Sequence, residues 1–450
     1  MMTLGQLAAA IPGSTLQGPA ETAFALVSTD TRALPPECLF FALRGERYDA
    51  HDFAHLAAEA GAVAMVVERP LPLTLPQLVV TDSRRALGLG ATAWRNRYVL
   101  PLIAVTGSNG KTTVTQMLAS ILAAASGDRG RLATRGNLNN EIGVPQTVFG
   151  LTTEHRYAVV ELGMNHPGEI EYLARIAQPT VSLVNNAQRE HQEFMGTVEA
   201  TARENGAAIS ALPANGIAVF PADDDCAFIW RVLAGSRQVM DFTLCGAGAA
   251  AVTATYVSVS DGIELTITTP SGRIELRLAL SGAHNAHNAV AAATSALAAG
   301  VAISDIKRGL EAFVPVAGRG VLLRSTAGGR VIDDSYNANP DSVIAAIDLL
   351  SGVGKPRVLI LGDMGEVGEQ GPDFHEEIGT YARLKGIDAL LAIGELSRHA
   401  VEAFNQEGGA HYSEIDELIA AARPLASAEA TVLVKGSRFM RMERVVKSLC

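Results

Sequence analysis

The stretch LIAVTGSNGKTTVTQMLASILAAA, residues 102–125, joins an apolar run, a glycine-containing loop and a helical pattern without interruption. Its apolar residues after the loop recur at i, i+3, i+4, i+7 and i+8, which places them on one face of a helix. They are Val114, Met117, Leu118, Ile121 and Leu122. Similar apolar runs follow at YAVVEL (157–162), TVSLVN (180–185) and GIAVF (216–220). Such runs are typical of a parallel sheet covered on both faces, so an α/β domain is predicted here.

The loop itself has the composition of a phosphate-binding site. A phosphate needs several backbone N–H donors that converge without intervening side chains, and a glycine loop before a helix N-terminus supplies them. The loop has the short form G-x-x-G-K-T-T, since Val105 stands where the longer motif has its first glycine. Lys111 can then contact the β- and γ-phosphates, and the Thr112 hydroxyl can ligate Mg²⁺. The predicted ATP-binding residues are Thr106, Gly107, Ser108, Asn109, Gly110, Lys111, Thr112 and Thr113.

The composition describes a chain with several cores and an acidic surface. At 450 residues and roughly 150 per domain, we expect about three domains. An apolar fraction of 48% against 18% charged residues excludes intrinsic disorder. Asp and Glu outnumber Lys and Arg by 47 to 36, which gives a formal charge of −11. Such a surface repels polyphosphate backbones, so nucleic acid is not expected as a partner.

Cysteine spacing and apolar run length indicate the compartment. Four cysteines lie scattered without C-x-x-C spacing, which fits a reducing compartment and predicts neither a zinc site nor a disulfide framework. The first residues, MMTLGQLAAAIPGS, lack the basic and long apolar segments of a signal peptide. No uncharged apolar run approaches the ~20 residues of a membrane span. We therefore expect a cytoplasmic monomer without stable membrane insertion.

Changes in pattern divide the chain into three predicted domains. Residues 1–98 alternate short β-like runs with small-residue segments and predict a small α/β domain. Residues 99–315 hold the parallel sheet, and within them 252–280 alternate apolar and polar residues, which predicts an appended antiparallel β-meander. The strand–helix alternation restarts in residues 316–450, at GRVIDD, PRVLILGD, ALLAIG and ATVLVKG. This last part predicts a smaller, doubly wound, Rossmann-like domain.

A carboxylate and a histidine follow two further strands of the predicted central sheet. Glu161 belongs to YAVVEL, and His191 lies in NNAQREHQEF after the next strand. Because ligands bind beyond the carboxyl ends of strands in an open parallel sheet, Glu161 can face the phosphates and hold Mg²⁺. The His191 imidazole can complete the metal's ligands or contact the γ-phosphate. Thr112, Glu161 and His191 together form the predicted metal site.

Motifs spread over the whole chain resemble the Mur ligase family. The glycine loop, ELG at 161–163 and SGAHNAHNAVAAAT at 281–294 occur in that family's order and at its separations. Further motifs resemble the branch that adds D-alanyl-D-alanine to a UDP-linked muramoyl tripeptide. These are STDTR (28–32), LRGERYDAHDF (43–53), GNLNNEIGVP (136–145), GRG (318–320), VIDDSYNANPDS (331–342), LGDMGEVG (361–368) and VKGSR (434–438).

The resemblance implies a ligase reaction in which two anions meet. In the family, ATP phosphorylates the terminal carboxylate of the tripeptide, and the amine of D-alanyl-D-alanine attacks the acyl phosphate and expels phosphate. Bringing a carboxylate to the γ-phosphate requires dense positive charge, which Mg²⁺, Lys111 and Arg319 would supply. Since Arg319 lies in the linker GRG, it reaches the phosphates only when the domains close. The expected catalytic residues are Lys111, Glu161, His191 and Arg319.

The resemblance also implies ATP contacts from later in the chain. Asn285 and Asn288, three residues apart on one helix face, correspond to the family's adenine-contacting asparagines, although an Asn at a helix start is more often a cap. Asp334 follows the strand VID and matches the position expected to bind the ribose. Tyr336 and Asn337 share its loop, which could otherwise be an Asn-Pro turn.

The first domain resembles the family's UDP-binding module. An acidic chain needs local arginines to hold a dianionic sugar nucleotide, and polar residues end two predicted strands where they could converge on it. These residues are Ser28, Thr29, Asp30 and Arg32 after one strand, and Arg44 and Gly45 after the next. The segment GNLNNEIGVP offers uncharged donors for the sugar or peptide, namely Asn137, Asn139 and Asn140. The alternative interpretation of the strand ends is a surface turn with scattered charge.

The chain departs from the family's pattern at one position. After the histidine, the family has an A-K-x-E-like segment whose lysine is carbamylated and helps to hold a second Mg²⁺. Here the corresponding segment is TARENGAAI (201–209), which places Asn205 at that position. Since Asn cannot be carbamylated, Glu190, Glu193 or Glu204 would have to substitute. We expect activity that does not depend on bicarbonate.

Two other classes of function stay open on the sequence alone: another ligase of the superfamily, and a regulator without catalysis. A muramoyl-dipeptide:diamino acid ligase and a folylpolyglutamate synthase share the superfamily, but usually carry a D-Y-A-H-type sequence where this chain has DSYNANPD. A nucleotide-binding regulator without catalysis is the other alternative, and the intact Lys111, Thr112 and Glu161 argue against it.

Four residues are candidates for contacts with D-alanyl-D-alanine because of their location in the sequence. They are Asp363, Glu366, Lys435 and Ser437.

Overall fold

The described residues form three largely parallel sheets, a four-stranded sheet and a two-stranded sheet, so the predicted α/β class is confirmed. The structure is a computed structural model that describes residues 1–246, 250–259 and 262–450. Among these residues, no helix is long and apolar enough to cross a bilayer. All four cysteines are free, with Cys38 and Cys226 buried.

The first part of the chain forms a five-stranded sheet with the order β2-β7-β6-β5-β4. Its elements in chain order are β1 (Met2–Thr3), α1 (Leu4–Ala10), β2 (Thr15–Gln17), β3 (Ala23–Phe24), β4 (Leu26–Ser28), β5 (Cys38–Phe41), α2 (Ala54–Glu59), β6 (Ala64–Val67), β7 (Gln77–Val79) and α3 (Ser83–Arg95). Neighbouring strands are parallel except for the pair β2 and β7. Strands β1 and β3 form a separate antiparallel pair.

The central part is a six-stranded, fully parallel sheet with the order β13-β12-β11-β8-β10-β9, as predicted. Its elements are β8 (Leu102–Thr106), α4 (Lys111–Ser126), β9 (Arg131–Ala133), α5 (Gly143–Phe149), β10 (Tyr157–Glu161), α6 (Glu169–Ala177), β11 (Val181–Val184), α7 (Gln192–Met195), α8 (Val198–Ser210), β12 (Ile217–Val219), α9 (Ala227–Ala234) and β13 (Gln238–Val239). Strand β8 lies between β10 and β11, so the crevice beyond its carboxyl end is where such sheets bind ligands.

A smaller sheet covers one face of this region. Its elements are β14 (Phe242–Leu244), β15 (Val252–Val259), β16 (Gly262–Thr269) and β17 (Gly272–Leu278), followed by α10 (Ala283–Ala298) and α11 (Ile303–Glu311). Strands β15 to β17 are antiparallel, which confirms the predicted meander, and β14 adds a parallel edge. The apolar stripe of α4 is buried in a core that also contains α10, α11 and the inner face of this sheet.

The last part is a six-stranded sheet with the order β18-β19-β23-β20-β21-β22, in which β18 alone is antiparallel. Its elements are β18 (Val321–Arg324), β19 (Arg330–Asp334), α12 (Pro340–Ser351), β20 (Arg357–Gly362), α13 (Gly371–Leu384), β21 (Ala389–Ile393), α14 (Ser397–Phe404), β22 (Gly409–Tyr412), α15 (Ile415–Leu425), β23 (Thr431–Lys435) and α16 (Glu443–Leu449). Single 3₁₀ turns lie at Thr31–Ala33, Ala50–Phe53, Asp128–Gly130, Gly368–Gln370 and Arg438–Met440.

One hydrophobic core joins the first sheet to the central sheet. Helix α3 packs on α5 and α6, and the Trp94 and Phe149 ring centroids lie 6.1 Å apart. The Trp94 indole N–H donates to the Leu151 carbonyl at 3.1 Å. On the other side of Phe149, the Phe41 ring centroid lies 6.3 Å away. The first two predicted domains are therefore packed together through a continuous apolar contact.

Candidate active site

The glycine loop between β8 and α4 has a backbone that requires glycine. Gly110 has φ +81°, and a Cβ there would lie 2.3 Å from Asn288 Oδ1. Gly107 has φ +128°, and its N–H donates to Asn205 Oδ1 at 2.8 Å. Asn185 Nδ2 donates to the Asn109 carbonyl at 2.8 Å, so buried side-chain amides hold the loop from behind. The predicted phosphate loop thus has a fixed shape before any ligand binds.

Lys111 lies over this loop. Its Nζ donates to the Gly107 carbonyl at 2.6 Å and to the Ser108 carbonyl at 3.1 Å, and it forms an ion pair with Glu190 Oε1 at 2.7 Å. The Lys111 and Glu190 side chains are only 15% and 10% exposed. The ammonium group therefore lies directly over the glycine loop, and its contact with the ATP phosphates stays a prediction.

Glu161 and Thr112 meet at the carboxyl edge of the sheet. Glu161 is 2% exposed, and its Oε1 accepts from Asn139 Nδ2 at 2.8 Å and from the Thr112 hydroxyl at 3.3 Å. Its Oε2 is buried and has no hydrogen-bond partner among the described residues. In proteins Mg²⁺ takes oxygen ligands, often one or two carboxylates beside substrate phosphates. The buried free oxygen beside a threonine hydroxyl therefore fits the predicted metal.

His191 lies between two carboxylates. Its Nδ1 lies 2.5 Å from Glu366 Oε2, and its Nε2 lies 3.5 Å from Glu190 Oε1. Burial alone would lower the pKa of His191, but the contacts with Glu190 and Glu366 outweigh it and raise this pKa to about 9. Two neighbouring carboxylates favour the charged imidazole here, and the role of His191 at a metal or at the γ-phosphate stays a prediction. Within the described ranges, no group of three or more His, Cys, Asp or Glu residues is arranged to hold a metal.

Asn205, the residue at the family's carbamylated-lysine position, is engaged inside the protein. It is 1% exposed, and besides accepting from Gly107 its Nδ2 donates to the Thr201 carbonyl at 3.1 Å. The Glu204 carboxylate accepts two backbone N–H groups at the start of α6, each at 2.9 Å, and Glu193 does not line the cleft. Of the three glutamates that could replace the carbamate, Glu190 alone lines the cleft.

The cleft in front of the glycine loop has a volume of about 1210 Å³, and residues from all three sheet regions line it. The first region contributes Arg84 and Arg85, which the sequence interpretation missed. Arg84 forms an ion pair with Glu141 and donates to the Arg44 carbonyl at 3.1 Å. It thereby connects the predicted UDP-binding loop to the Asn-rich segment of the central region.

The last sheet region closes onto the central one through paired side chains. Asn109 and Asn339 exchange side-chain hydrogen bonds of 3.2 and 3.0 Å. The Arg189 guanidinium forms ion pairs with Asp341 at 2.7 Å and with Glu377 at 2.6 Å. These contacts place the glycine loop against the N-terminus of α12, and this arrangement of the last region in contact with the loop is called the closed form below.

Arg319 reaches the glycine loop in this closed form. Its Nη2 donates to the Thr112 hydroxyl at 3.4 Å, and its guanidinium carbon lies 4.0 Å from the Tyr336 ring centroid. From the end of β23, Lys435 Nζ forms an ion pair with Asp334, at the end of β19, at 2.6 Å and donates to the Asn337 carbonyl at 2.9 Å. The predicted linker arginine and ATP-ribose loop therefore stand directly across from the phosphate loop.

Models of two domain families match the chain: the Mur ligase middle domain over residues 105–296, and the Mur ligase, glutamate ligase domain over residues 318–438. The UDP-N-acetylmuramoyl-tripeptide--D-alanyl-D-alanine ligase of Escherichia coli (strain K12) is 42% identical over 451 residues, which cover 100% of this chain and 98% of that protein. This chain belongs to the Mur ligase family.

Solved structures match this Mur ligase over nearly its whole length. Crystal structure I of MurF from Acinetobacter baumannii has a TM-score of 0.92 and 35% identity, with 100% of this chain and 98% of that one covered. The MurF ligase from Thermotoga maritima in complex with ADP has a TM-score of 0.81 and 25% identity, covering 94% and 96%. The arrangement of three sheet regions is thus shared with both.

The predicted adenine contacts of this Mur ligase lie behind the glycine loop rather than on the cleft wall. Asn288 Oδ1 accepts from Asn185 Nδ2 at 2.9 Å, and Asn285 Nδ2 donates to the Ser281 carbonyl at 2.9 Å. Both asparagines are buried. The Asn288 amide therefore supports the loop through Asn185, whereas the Asn285 amide bonds within its own helix start, and contact of either with adenine stays a prediction.

The predicted UDP contacts of this Mur ligase follow two neighbouring parallel strands, β4 and β5, as expected. Ser28 and Gly45 take part in local turn hydrogen bonds, and Thr29 Oγ1 accepts from Gln146 Nε2 at 2.6 Å. Arg32 pairs with Asp30, and its side chain is 88% exposed. None of these residues lines the large cleft, whereas Asn137, Asn139 and Asn140 do.

The four candidates for D-alanyl-D-alanine contacts have different surroundings. Asp363 is buried and accepts the Ser397 N–H at 2.7 Å, which makes it a cap of α14. Ser437 Oγ accepts the Gly365 N–H at 2.7 Å. Glu366 pairs with His191, and Lys435 pairs with Asp334. Glu366, Lys435 and Ser437 line the cleft, and the exposed Phe439 ring beside them was not predicted.

Proposed function

We propose that this Mur ligase joins D-alanyl-D-alanine to UDP-N-acetylmuramoyl-tripeptide in peptidoglycan precursor synthesis, with ATP as co-substrate. The products are UDP-N-acetylmuramoyl-pentapeptide, ADP and phosphate. Relatives that match over most of their length are UDP-N-acetylmuramoyl-tripeptide--D-alanyl-D-alanine ligases, which supports this substrate pair. The observation that carries the proposal is the closed cleft, in which the glycine loop, the Thr112–Glu161 pair and the Arg319 guanidinium lie together.

The electrostatics of the cleft favour phosphoryl transfer to a carboxylate. Most cations around it are neutralised: Lys111 by Glu190, Lys435 by Asp334, Arg189 by Asp341 and Arg438 by Glu443. Within the described part of the chain, Arg319 has no carboxylate partner. An uncompensated guanidinium beside the glycine loop can therefore neutralise the charge that develops when two anions react.

The chain's own groups would act in two steps. In the first, a carboxylate oxygen of the tripeptide attacks the γ-phosphorus of ATP and ADP leaves, while the glycine loop, Lys111 and Arg319 hold the phosphate oxygens. In the second, the dipeptide amine attacks the carbonyl carbon of the acyl phosphate and phosphate leaves. Mg²⁺ bound by Thr112 and Glu161 would supply further neutralisation of phosphate oxygens. Positioning and charge lower most of the barrier.

The remaining assignments of the sequence belong to this proposal. We assign residues 1–98 to UDP binding, 99–315 to ATP binding and 316–450 to the ligase domain that completes the ATP site. Asn285, Asn288, Asp334, Tyr336 and Asn337 would complete the ATP site, and His191 would face the γ-phosphate. The protein would act as a monomer in the cytoplasm, a reducing compartment that suits its four free cysteines.

Product analysis tests the proposal directly. The purified protein is incubated with ATP, Mg²⁺, UDP-N-acetylmuramoyl-tripeptide and D-alanyl-D-alanine, and phosphate release and product mass are measured. We expect a product whose mass is the sum of tripeptide nucleotide and dipeptide minus one water. Parallel reactions offer a diamino acid with the dipeptide nucleotide, and glutamate with a folate. Phosphate release in one of those reactions but not with D-alanyl-D-alanine would overturn the proposal in favour of another ligase of the superfamily.

A further inference from the structure

One aromatic ring lies under two guanidinium groups at the edge of the cleft. The guanidinium carbon of Arg319 is 4.0 Å from the Tyr336 ring centroid, and that of Arg438 is 5.6 Å from it. Arg319 comes from the linker before β18, whereas Arg438 follows β23. Both distances are within the range in which a cation is attracted to an aromatic face.

The backbone holds the linker against the loop that carries this ring. The Gly318 N–H donates to Asp333 Oδ2 at 3.1 Å, and the Tyr336 N–H donates to the Gly318 carbonyl at 3.2 Å. Gly318 has φ +75°, and a Cβ there would lie 3.1 Å from Tyr336 Cβ. The segment carrying Arg319 is therefore fixed to the last sheet region and moves with it.

The two guanidinium groups differ in their charge partners. Arg438 forms an ion pair with Glu443 at 3.0 Å, whereas Arg319 has no carboxylate partner in the described ranges. A carboxylate would orient Arg319 but would also neutralise it. An aromatic face orients a guanidinium and leaves its positive charge available to an incoming anion.

We infer that Tyr336 is a positioning residue whose ring holds the Arg319 guanidinium, still fully charged, in line with the Thr112 end of the phosphate loop. This inference rests on the proposed ligase function. It assigns Tyr336 an effect that passes through Arg319. When the last region closes, the ring and the linker deliver the guanidinium together, so the charge arrives already oriented.

Substitution of the ring tests this role through its chemistry. Tyr336→Leu should lower kcat by roughly tenfold because the aromatic face is lost, and Tyr336→Phe, which keeps the ring, should lower kcat by clearly less than that. The matched control is Tyr381→Leu, since Tyr381 also lies under a cation, Lys385 at 5.0 Å, but outside the cleft. That control should leave kcat unchanged.

A double-mutant cycle shows whether the effect passes through Arg319. If it does, Tyr336→Leu should cost little further activity in an Arg319→Ala background, because the group that the ring positions is absent. Losses that multiply fully in the double variant, or a Tyr336→Leu variant as active as the wild type, would overturn the inference. Failure of the wild type to make the pentapeptide product would instead overturn the proposed function.

A series of ring-substituted variants tests the same role if the Tyr336→Leu variant does not fold. Phenylalanines with one, two and three ring fluorines are placed at position 336, since fluorine draws electron density from the ring face with little change of shape. We expect kcat to fall stepwise along the series while the thermal unfolding midpoint stays constant. A flat series would contradict the positioning role.

Discussion

The predicted phosphate site and the predicted UDP site are built in opposite ways. At the phosphate end, Lys111 and Glu190 are 15% and 10% exposed and are bonded to each other before any ligand is present. At the predicted UDP end, the side chains of Arg32 and Arg44 are 88% and 69% exposed. Ordering such a side chain on binding costs about 0.5–1.5 kcal/mol. The predicted phosphate site is therefore preassembled, whereas exposed arginines such as Arg32 and Arg44 would have to be ordered when the proposed sugar nucleotide binds.

Neutralising the preassembled end should have the largest effect. Lys111→Met removes the ammonium that meets the β- and γ-phosphates, so kcat/KM for pentapeptide formation should fall about 10³-fold. The measurement is phosphate release with all three substrates. Lys307→Met is the matched control, because Lys307 lies on the exposed face of α11 near Glu311. Equal activity of the two variants would contradict a preassembled phosphate site.

The buried carboxylate should control the metal requirement. Glu161→Gln replaces the free Oε2 with an amide or a weaker neutral oxygen, so the Mg²⁺ concentration for half-maximal activity should rise about 10- to 100-fold. Binding of Mn²⁺ with ATP, followed by its paramagnetic resonance signal, should weaken in parallel. Glu311→Gln on the exposed face of α11 serves as control. An unchanged metal requirement would show that Glu161 does not hold the ion.

The ion pairs of Arg189 should hold the closed form. Arg189→Met removes its bonds to Asp341 and Glu377, so KM for ATP should rise about tenfold, the equivalent of about 1.4 kcal/mol. X-ray scattering should show the wild type becoming more compact with an ATP analogue and tripeptide nucleotide, and the variant less so. The exposed pair of Arg273 with Glu275 provides the control Arg273→Met. Unchanged wild-type dimensions would contradict closure.

At the predicted UDP site, loss of a single exposed arginine should be milder. Arg44→Gln should raise KM for the tripeptide nucleotide about three- to tenfold and leave KM for ATP unchanged, because an exposed cation contributes only a modest charge interaction. Arg47→Gln in the same loop is the control. If KM for the tripeptide nucleotide is the same in both variants as in the wild type, the residues after β4 and β5 form a surface turn and do not bind the nucleotide.

The smallest effect is expected in the acid stability of the first region. Burial alone would raise the pKa of Asp49, but hydrogen bonds from His51 and Arg69 outweigh it and hold this pKa well below its usual value. The stabilisation is therefore present above the unfolded-state value of about 4 and is lost as the pH falls toward the folded-state pKa. Asp49→Asn should lower the free energy of unfolding by about 1 kcal/mol at pH 7 and by less at pH 3. Urea unfolding across that range measures it, and a constant difference would contradict the assignment.

The sequence predicts the phosphate end well because its geometry permits few residues. Only glycine tolerates the backbone at Gly107 and Gly110, and the apolar stripe of α4 has an unmistakable period. The edge strands β18 and β22 escaped prediction because they are short and only half-buried. Arg189 escaped because its partners lie 152 and 188 residues away along the chain. A sequence pattern carries local periodicity but not the identity of such distant partners.

The side-chain roles show the same limit. Asn205 was recognised as a departure from the family pattern, but its bond to Gly107 depends on the packing of α8 behind the loop. Asn139 was expected to contact substrate, and in the structure its amide also orients Glu161. The sequence alone does not distinguish an amide that contacts a ligand from one that bonds within the protein. The tertiary packing around Asn205 and Asn139 determines which hydrogen-bond partner each amide has.

The hydrophobic core around Trp94 and Phe149 limits how the regions of the protein can move relative to one another. Because the first and central regions share one hydrophobic core, we expect them to move as a single body. Separating the chain near residue 98 would expose apolar surface on both fragments. Any movement of the last region relative to this body must then take place across the linker before β18, next to Gly318. Under the proposed function, the sugar nucleotide would bind the larger body, and Arg319 would reach it from the smaller one.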